Sequence, residues 1–185
     1  MSTVGSYRGP NIVTRGLVLH LDAASPNSYY APNGGTVWRD VSGNGNSVTL
    51  INSPLHIGNG FSLDGTGARA VGGLSSFDWG NALSVFVWLK NEGGDYRGVV
   101  NTGYYTNGNW EMRFGREDFF GGQNNGTRLG CAVNTVDGFL SLSMNAELNE
   151  VGHYGFVYNG QELALYANAS KQTSGSLAGN ITDFN

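Results

Sequence analysis

From Gly16 onward the chain alternates apolar and polar residues with a period of two, and most of these runs are bounded by tight-turn residues. In Leu17-Val-Leu-His-Leu-Asp22, Leu17, Leu19 and Leu21 share one face, with His20 and Asp22 on the other. Phe61 and Leu63 form a shorter run. Leu83, Val85, Val87 and Leu89 oppose Ser84, Phe86, Trp88 and Lys90; with both faces largely apolar, this segment is expected to be a central strand. Trp110, Met112 and Phe114 alternate with Glu111 and Arg113, and Leu129, Cys131 and Val133 follow. Leu140, Leu142 and Met144, then Tyr154, Phe156 and Tyr158, then Leu163 and Leu165 complete the series. Asn-Gly stands at 33, 44, 59, 107, 125 and 159, and Asp-Gly at 64 and 137. These pairs accept the positive φ of tight hairpins, and 157–163 reads as strand, Asn-Gly, strand. Many short strands at this spacing predict an all-β sandwich or barrel. Residues 1–15 have no sustained period and are read as an extended N-terminal arm, with 16–185 as one domain.

Composition excludes the alternatives. Thirty Gly and four Pro among 185 residues, with only two Lys (Lys90 and Lys171), do not make a helical bundle. A hydrophobic content of 39%, including nine Phe, nine Tyr and four Trp, supplies a real core and argues against disorder. A net charge of −4 gives no electrostatic ground for nucleic acid or an anionic membrane as partner. The longest apolar run, Val85–Leu89, is far short of a membrane span. One cysteine, Cys131, excludes an internal disulfide, so packing alone must hold the fold; Cys131 is read as a small buried residue. The start carries no apolar signal-peptide core, which predicts synthesis in a cytoplasm without a secretory signal.

Four stretches in order resemble the concanavalin A-like, laminin-G-like jelly rolls. They are GLVLHLDAASPNSY (16–29) with the loop VWRDVSGNGNSVTL (37–50), FSLDGTGARAV (61–71), LSVFVWLK (83–90), and the long hairpin GHYGFVYNGQELALYANASKQTSGSL (152–177). The resemblance implies an all-β, two-sheet antiparallel jelly-roll sandwich. The opening Gly-Pro-Asn-Ile-Val-Thr-x-Gly-Leu-Val-Leu-x-Leu-Asp-Ala (9–23) is similar to the start of structural proteins from tailed, cyanophage-type bacteriophages. That likeness implies location on a virion, other capsid or tail proteins as partners, and oligomeric assembly on the particle. The family's usual last strand, which pairs beside the first, has no counterpart before Asn185. A truncated product, a strand donated by another chain, and cover by the arm are the readings of this departure.

Motifs for chemistry are weak. Glycosidases of this fold place paired carboxylates on one strand face, but here Glu111 shares its face with Arg113. A neighbouring guanidinium works against a proton-donating acid, so the pair is read as a solvated face and no catalytic residue is assigned. Asp40-Val-Ser-Gly-Asn-Gly-Asn46 copies half of a calcium loop, but Ile51 stands where the bidentate Glu belongs. Asp40 is instead expected to brace its turns. By analogy with calcium-binding members of the resembled fold, Asp64, Asp78 and Asn81 are weak Ca2+ candidates; no other cofactor is implied. His20, His56 and His153 are read as structural.

What remains is aromatic and amide-rich. Tyr104, Tyr105, Asn107, Asn109 and Trp110, with Asp78 and Trp79 and a lesser cluster at Asn27–Tyr30, are candidates for glycan binding or a protein interface. Sugar recognition pairs ring faces with the apolar side of a pyranose, and amides and carboxylates with its hydroxyls. The function expected is a non-enzymatic virion structural protein (capsid decoration, fibre or tail appendage) with an exposed lectin-like domain, or else a carbohydrate-binding module that adheres to host surface polysaccharide.

Overall fold

The structure, a computed structural model, describes residues 13–30, 35–72, 74, 77–92, 97–102, 110–115, 128–146 and 149–182. Every regular element among them is a β-strand. The chain divides into two compact units, Met1–Leu74 and Ser75–Asn185.

The first unit holds five short strands: β1 (Val37–Trp38), β2 (Val48–Ile51), β3 (Leu55–Ile57), β4 (Gly60–Ser62) and β5 (Arg69–Gly72). They form an antiparallel sheet β1-β2-β5 and a separate β3-β4 hairpin. Its aromatic centre is Phe61, edge-on to Tyr29 at 4.7 Å and to Trp38 at 4.8 Å. His56 leans on Tyr29, and its Nε2 lies 2.9 Å from the Ala23 carbonyl, a structural role.

Residues 17–22, expected as a strand, form no ladder. Side chains of 40–46 take the place of a neighbouring strand. The amide of Asn44 donates to the Leu17 carbonyl at 2.7 Å and that of Asn46 to the Val18 carbonyl at 2.9 Å, while the Val41 amide donates to the His20 carbonyl. Asp40 is the hub. Its carboxylate accepts from the backbone amides of His20, Ser42 and Asn46, each at 2.9 Å, and from the Ser42 hydroxyl at 2.8 Å. Asx and Ser turns win here because short polar side chains satisfy the backbone as well as a ladder does.

The second unit has eight strands: β6 (Leu83–Lys90), β7 (Arg97–Asn101), β8 (Trp110–Phe114), β9 (Arg128–Thr135), β10 (Gly138–Asn145), β11 (Val151–Tyr158), β12 (Glu162–Ala167) and β13 (Ser170–Ser176). They make two antiparallel four-stranded sheets, ordered β10-β9-β8-β7 and β13-β12-β11-β6. Alternation assigns the facing sides: Trp110, Met112, Phe114, Leu129, Cys131 and Val133 from one sheet, and Tyr154, Phe156, Tyr158, Leu163 and Leu165 from the other, all buried. Trp110 meets Phe156 across the gap, with ring centres 5.8 Å apart. A Cβ on Gly175 of β13 would stand 2.9 Å from a methyl of Leu140 on β10. The sheets therefore touch closely, as a sandwich requires. Burial pushes the Cys131 thiol well above its ordinary range, in keeping with an inert core residue.

The expected hairpin is present: Tyr158 pairs with Leu163, and the Asn159 side chain accepts from the Gln161 and Glu162 amides at 3.0 and 2.8 Å. One expectation is corrected. Among the described residues strand β6 lies at an edge of its sheet, with β11 as its ladder partner, and is not central there. Two apolar faces report what the side chains prefer to touch; they do not fix how many strands lie alongside.

The Asp40 hub has a measurable consequence. Burial alone raises its pKa, but the amides of His20 and Ser42, the Ser42 hydroxyl and the Asn46 amide outweigh this and hold it below the usual carboxylate range. A lowered folded value adds stability that is complete above the unfolded value of about 3.9 and disappears as pH falls through the folded value. Urea melts of the wild type and Asp40→Asn should therefore differ at neutral pH, and the gap should close on acidification. A pH-independent gap would show that the charge does no stabilising there.

Candidate binding surface

The outward side of β13-β12-β11-β6 carries an aromatic row. In the β6–β11 register Trp88 faces His153 and Phe86 faces Gly155; in β11–β12, Gly155 faces Tyr166. The His153 ring stacks on Trp88 with centres 4.8 Å apart and on Phe86 at 5.3 Å, inclined by 30° and 20°. Phe86 lies 6.2 Å from Tyr166, so four rings run across three strands. Gly155 makes this possible: a side chain there would overlap the Phe86 ring and the Val85 carbonyl.

The row is open to solvent where it matters. Trp88 is 71% exposed and Phe86 47%, with Val151 exposed beside them. Ion pairs flank it. Lys90 Nζ lies 2.6 Å from Glu92 Oε1, and Lys171 Nζ lies 2.7 Å from Glu162 Oε1. Hydrogen bonding to Lys90 lowers the Glu92 pKa, hydrogen bonding to Lys171 lowers that of Glu162, and the Lys171 pKa rises in turn. Exposed pairs of this kind add little stability, but they set charged hydrogen-bonding groups beside ring faces.

The outward side of β10-β9-β8-β7 is different in character. Glu111 and Arg113 project there, 2.9 Å apart from Oε2 to Nε, with side chains only 4% and 9% accessible. The expected sharing of a face holds; the expected solvation does not, because both sides of β8 are covered. Gly130 and Ala132 face Arg113 and Glu111 from β9. On the same face Arg128 Nη2 donates to Ser143 Oγ at 2.6 Å.

The other proposed site residues fall elsewhere. Tyr104, Tyr105, Asn107 and Asn109 lie outside the described residues. Trp79 and Trp110 are 8% and 6% exposed and meet edge to face at 5.2 Å, so these two indoles are core and present no ring face to a ligand. Their place among the binding candidates is corrected accordingly: large aromatics next to loop signals also cap a sandwich interior. Of the lesser cluster, Tyr29 and Ser28 are buried and Tyr30 is exposed. Asp64 is committed to its own turn, accepting from Thr66, Gly67 and Ala68, which holds its carboxyl far below the usual range with the Thr66 hydroxyl as the largest cause. Asp78 Oδ1 accepts from the Gly80 amide at 2.8 Å, and Asn81 is exposed. Among the described residues no three His, Cys, Asp or Glu side chains gather at metal-binding distance.

Sequence reasoning missed Phe86, Trp88, His153 and Tyr166 as a surface. The available signal was Phe-x-Trp on one face of a strand combined with a glycine in the strand that pairs with it. No protein-family model and no curated protein sequence matches this chain.

The buried Glu111–Arg113 pair generates a prediction. Removing one member, as in Arg113→Met, should destabilise the fold by about 3–5 kcal/mol, because the remaining charge stays buried. Replacing both, as Glu111→Leu with Arg113→Met, should cost less than Arg113→Met alone, as measured by chemical denaturation. A double-variant loss equal to the sum of the Glu111→Leu and Arg113→Met losses would mean that the two charges are not coupled.

Proposed function

We propose that this chain is a non-enzymatic structural protein of a tailed-bacteriophage virion, a capsid decoration, fibre or tail appendage, with a lectin-like jelly-roll domain on the particle surface. Residues 1–15 are its anchoring arm, and the sandwich is the displayed part. Support for display comes from a crosslink-free all-β fold and from the likeness of residues 9–23 to virion proteins. Support for a non-enzymatic role comes from Glu111, whose carboxylate is engaged by Arg113 as an acceptor, whereas a general acid must hold a proton.

The observation that carries the binding part is the aromatic row on one sheet face, with Trp88 and Phe86 exposed and His153 and Tyr166 half-buried beside them. Ring faces there suit the apolar side of a sugar, and Glu92, Lys90, Glu162 and Lys171 at its margins suit hydroxyls. This favours the second reading as well: adhesion to host surface polysaccharide through the same face, with or without a particle.

Two experiments separate these parts. Trp88→Ala, which removes the stacking on His153 at a cost of about 0.5–1.5 kcal/mol in stability, should abolish retention on host polysaccharide or a glycan array. Retention equal to wild type would remove the aromatic face as the sugar site. Deleting residues 1–15 should prevent incorporation into particles while leaving the purified domain folded by circular dichroism. Normal incorporation would refute the arm as anchor.

A further inference from the structure

The two edges of the β13-β12-β11-β6 sheet are built to opposite rules. Strand β13 reads Ser-Lys-Gln-Thr-Ser-Gly-Ser, a polar edge with a lysine, the usual protection against pairing with another chain. Strand β6 reads Leu-Ser-Val-Phe-Val-Trp-Leu-Lys, with no proline and no bulge against β11, and among the described residues its ladder is to β11 alone. An eight-residue edge, six of its residues apolar and its lysine at the very end, with the Phe86 and Trp88 rings exposed, forms a template for a further strand.

We infer that the β6 edge pairs with β6 of a second copy of this chain, antiparallel across a two-fold axis, to give a continuous eight-stranded sheet. Self-complementarity carries this choice. Antiparallel partners must place outward residues opposite outward residues, so Ser84, Phe86, Trp88 and Lys90 can only face members of that same set. The axis must then pass through a residue and not between two. With the axis at Val87, Phe86 faces the partner's Trp88, Trp88 faces the partner's Phe86, and Lys90 faces the partner's Ser84. Two aromatic pairs result, each cation meets a hydroxyl, and no like charges oppose. An axis at Phe86 instead sets Ser84 against the partner's Trp88 and forfeits one aromatic pairing. The interface is isologous, closes on itself and leaves no apolar edge, and it joins the two aromatic rows into one surface.

The test uses the full-length chain in sedimentation equilibrium and varies one exposed position, Ser84. A dimer is expected for the wild type. Ser84→Lys sets a cation against the partner's Lys90 twice and should weaken dimerisation by about two- to thirtyfold, while Ser84→Glu should strengthen it by a similar factor. Ser84→Lys combined with Lys90→Glu should restore it. A monomeric wild type at all accessible concentrations overturns the inference. So does a monomer with slowly exchanging β6 amides, which means that another part of the same chain covers the edge. A dimer indifferent to both Ser84 variants overturns it too, since association then uses a different face or register.

Discussion

The second unit rests on one layer of close contact, the apolar side chains enclosed between its two four-stranded sheets. Phe156, Leu163, Leu165, Leu129, Val133 and Met112 are shut off from water, and Trp110 reaches across to Phe156. Cys131 is a free thiol and the described residues gather no metal-binding cluster, so burial of these groups supplies the driving force for the unit. Glycine at 175 belongs to the same constraint, because Leu140 occupies the space a side chain would need.

The first unit solves a different problem with different chemistry. Its strands are short, and much of the backbone between them is satisfied by Asp, Asn and Ser side chains. That is the physical meaning of the chain's high asparagine and glycine content: glycine and asparagine take backbone conformations closed to other residues, and asparagine also carries its own hydrogen-bonding groups. The Asp40 loop and the Asp64 turn are two versions of the same device, each a carboxylate collecting several backbone amides.

Strands of the second unit were legible because alternation and turn chemistry agree there: β8, β9, β10, β11 and β12 fall on the segments whose periodicity marks them. Residues 17–22 have equally good alternation but no ladder, since side-chain donors from 40–46 occupy their carbonyls, and periodicity carries no information about a competing partner. The Glu111–Arg113 relation was legible as spacing; its burial was not, because that depends on what lies over the sheet face. The aromatic row was hidden for a related reason. Phe86 and Trp88 are two residues apart in one strand, while His153 and Tyr166 are brought to them only by register, across a glycine whose value lies in being empty.

The sealed position of Cys131 gives the molecule a practical property. A buried thiol, flanked across its ladders by Met112 and Leu142 and held in its protonated form, is silent toward maleimides and disulfide reagents while the fold is intact. A cysteine introduced anywhere on the exterior is therefore the sole reactive handle, and a fluorophore or spin probe attaches there without first removing the native one. The same enclosure makes the native sulfur a reporter of unfolding, since its alkylation has to await exposure of the interior.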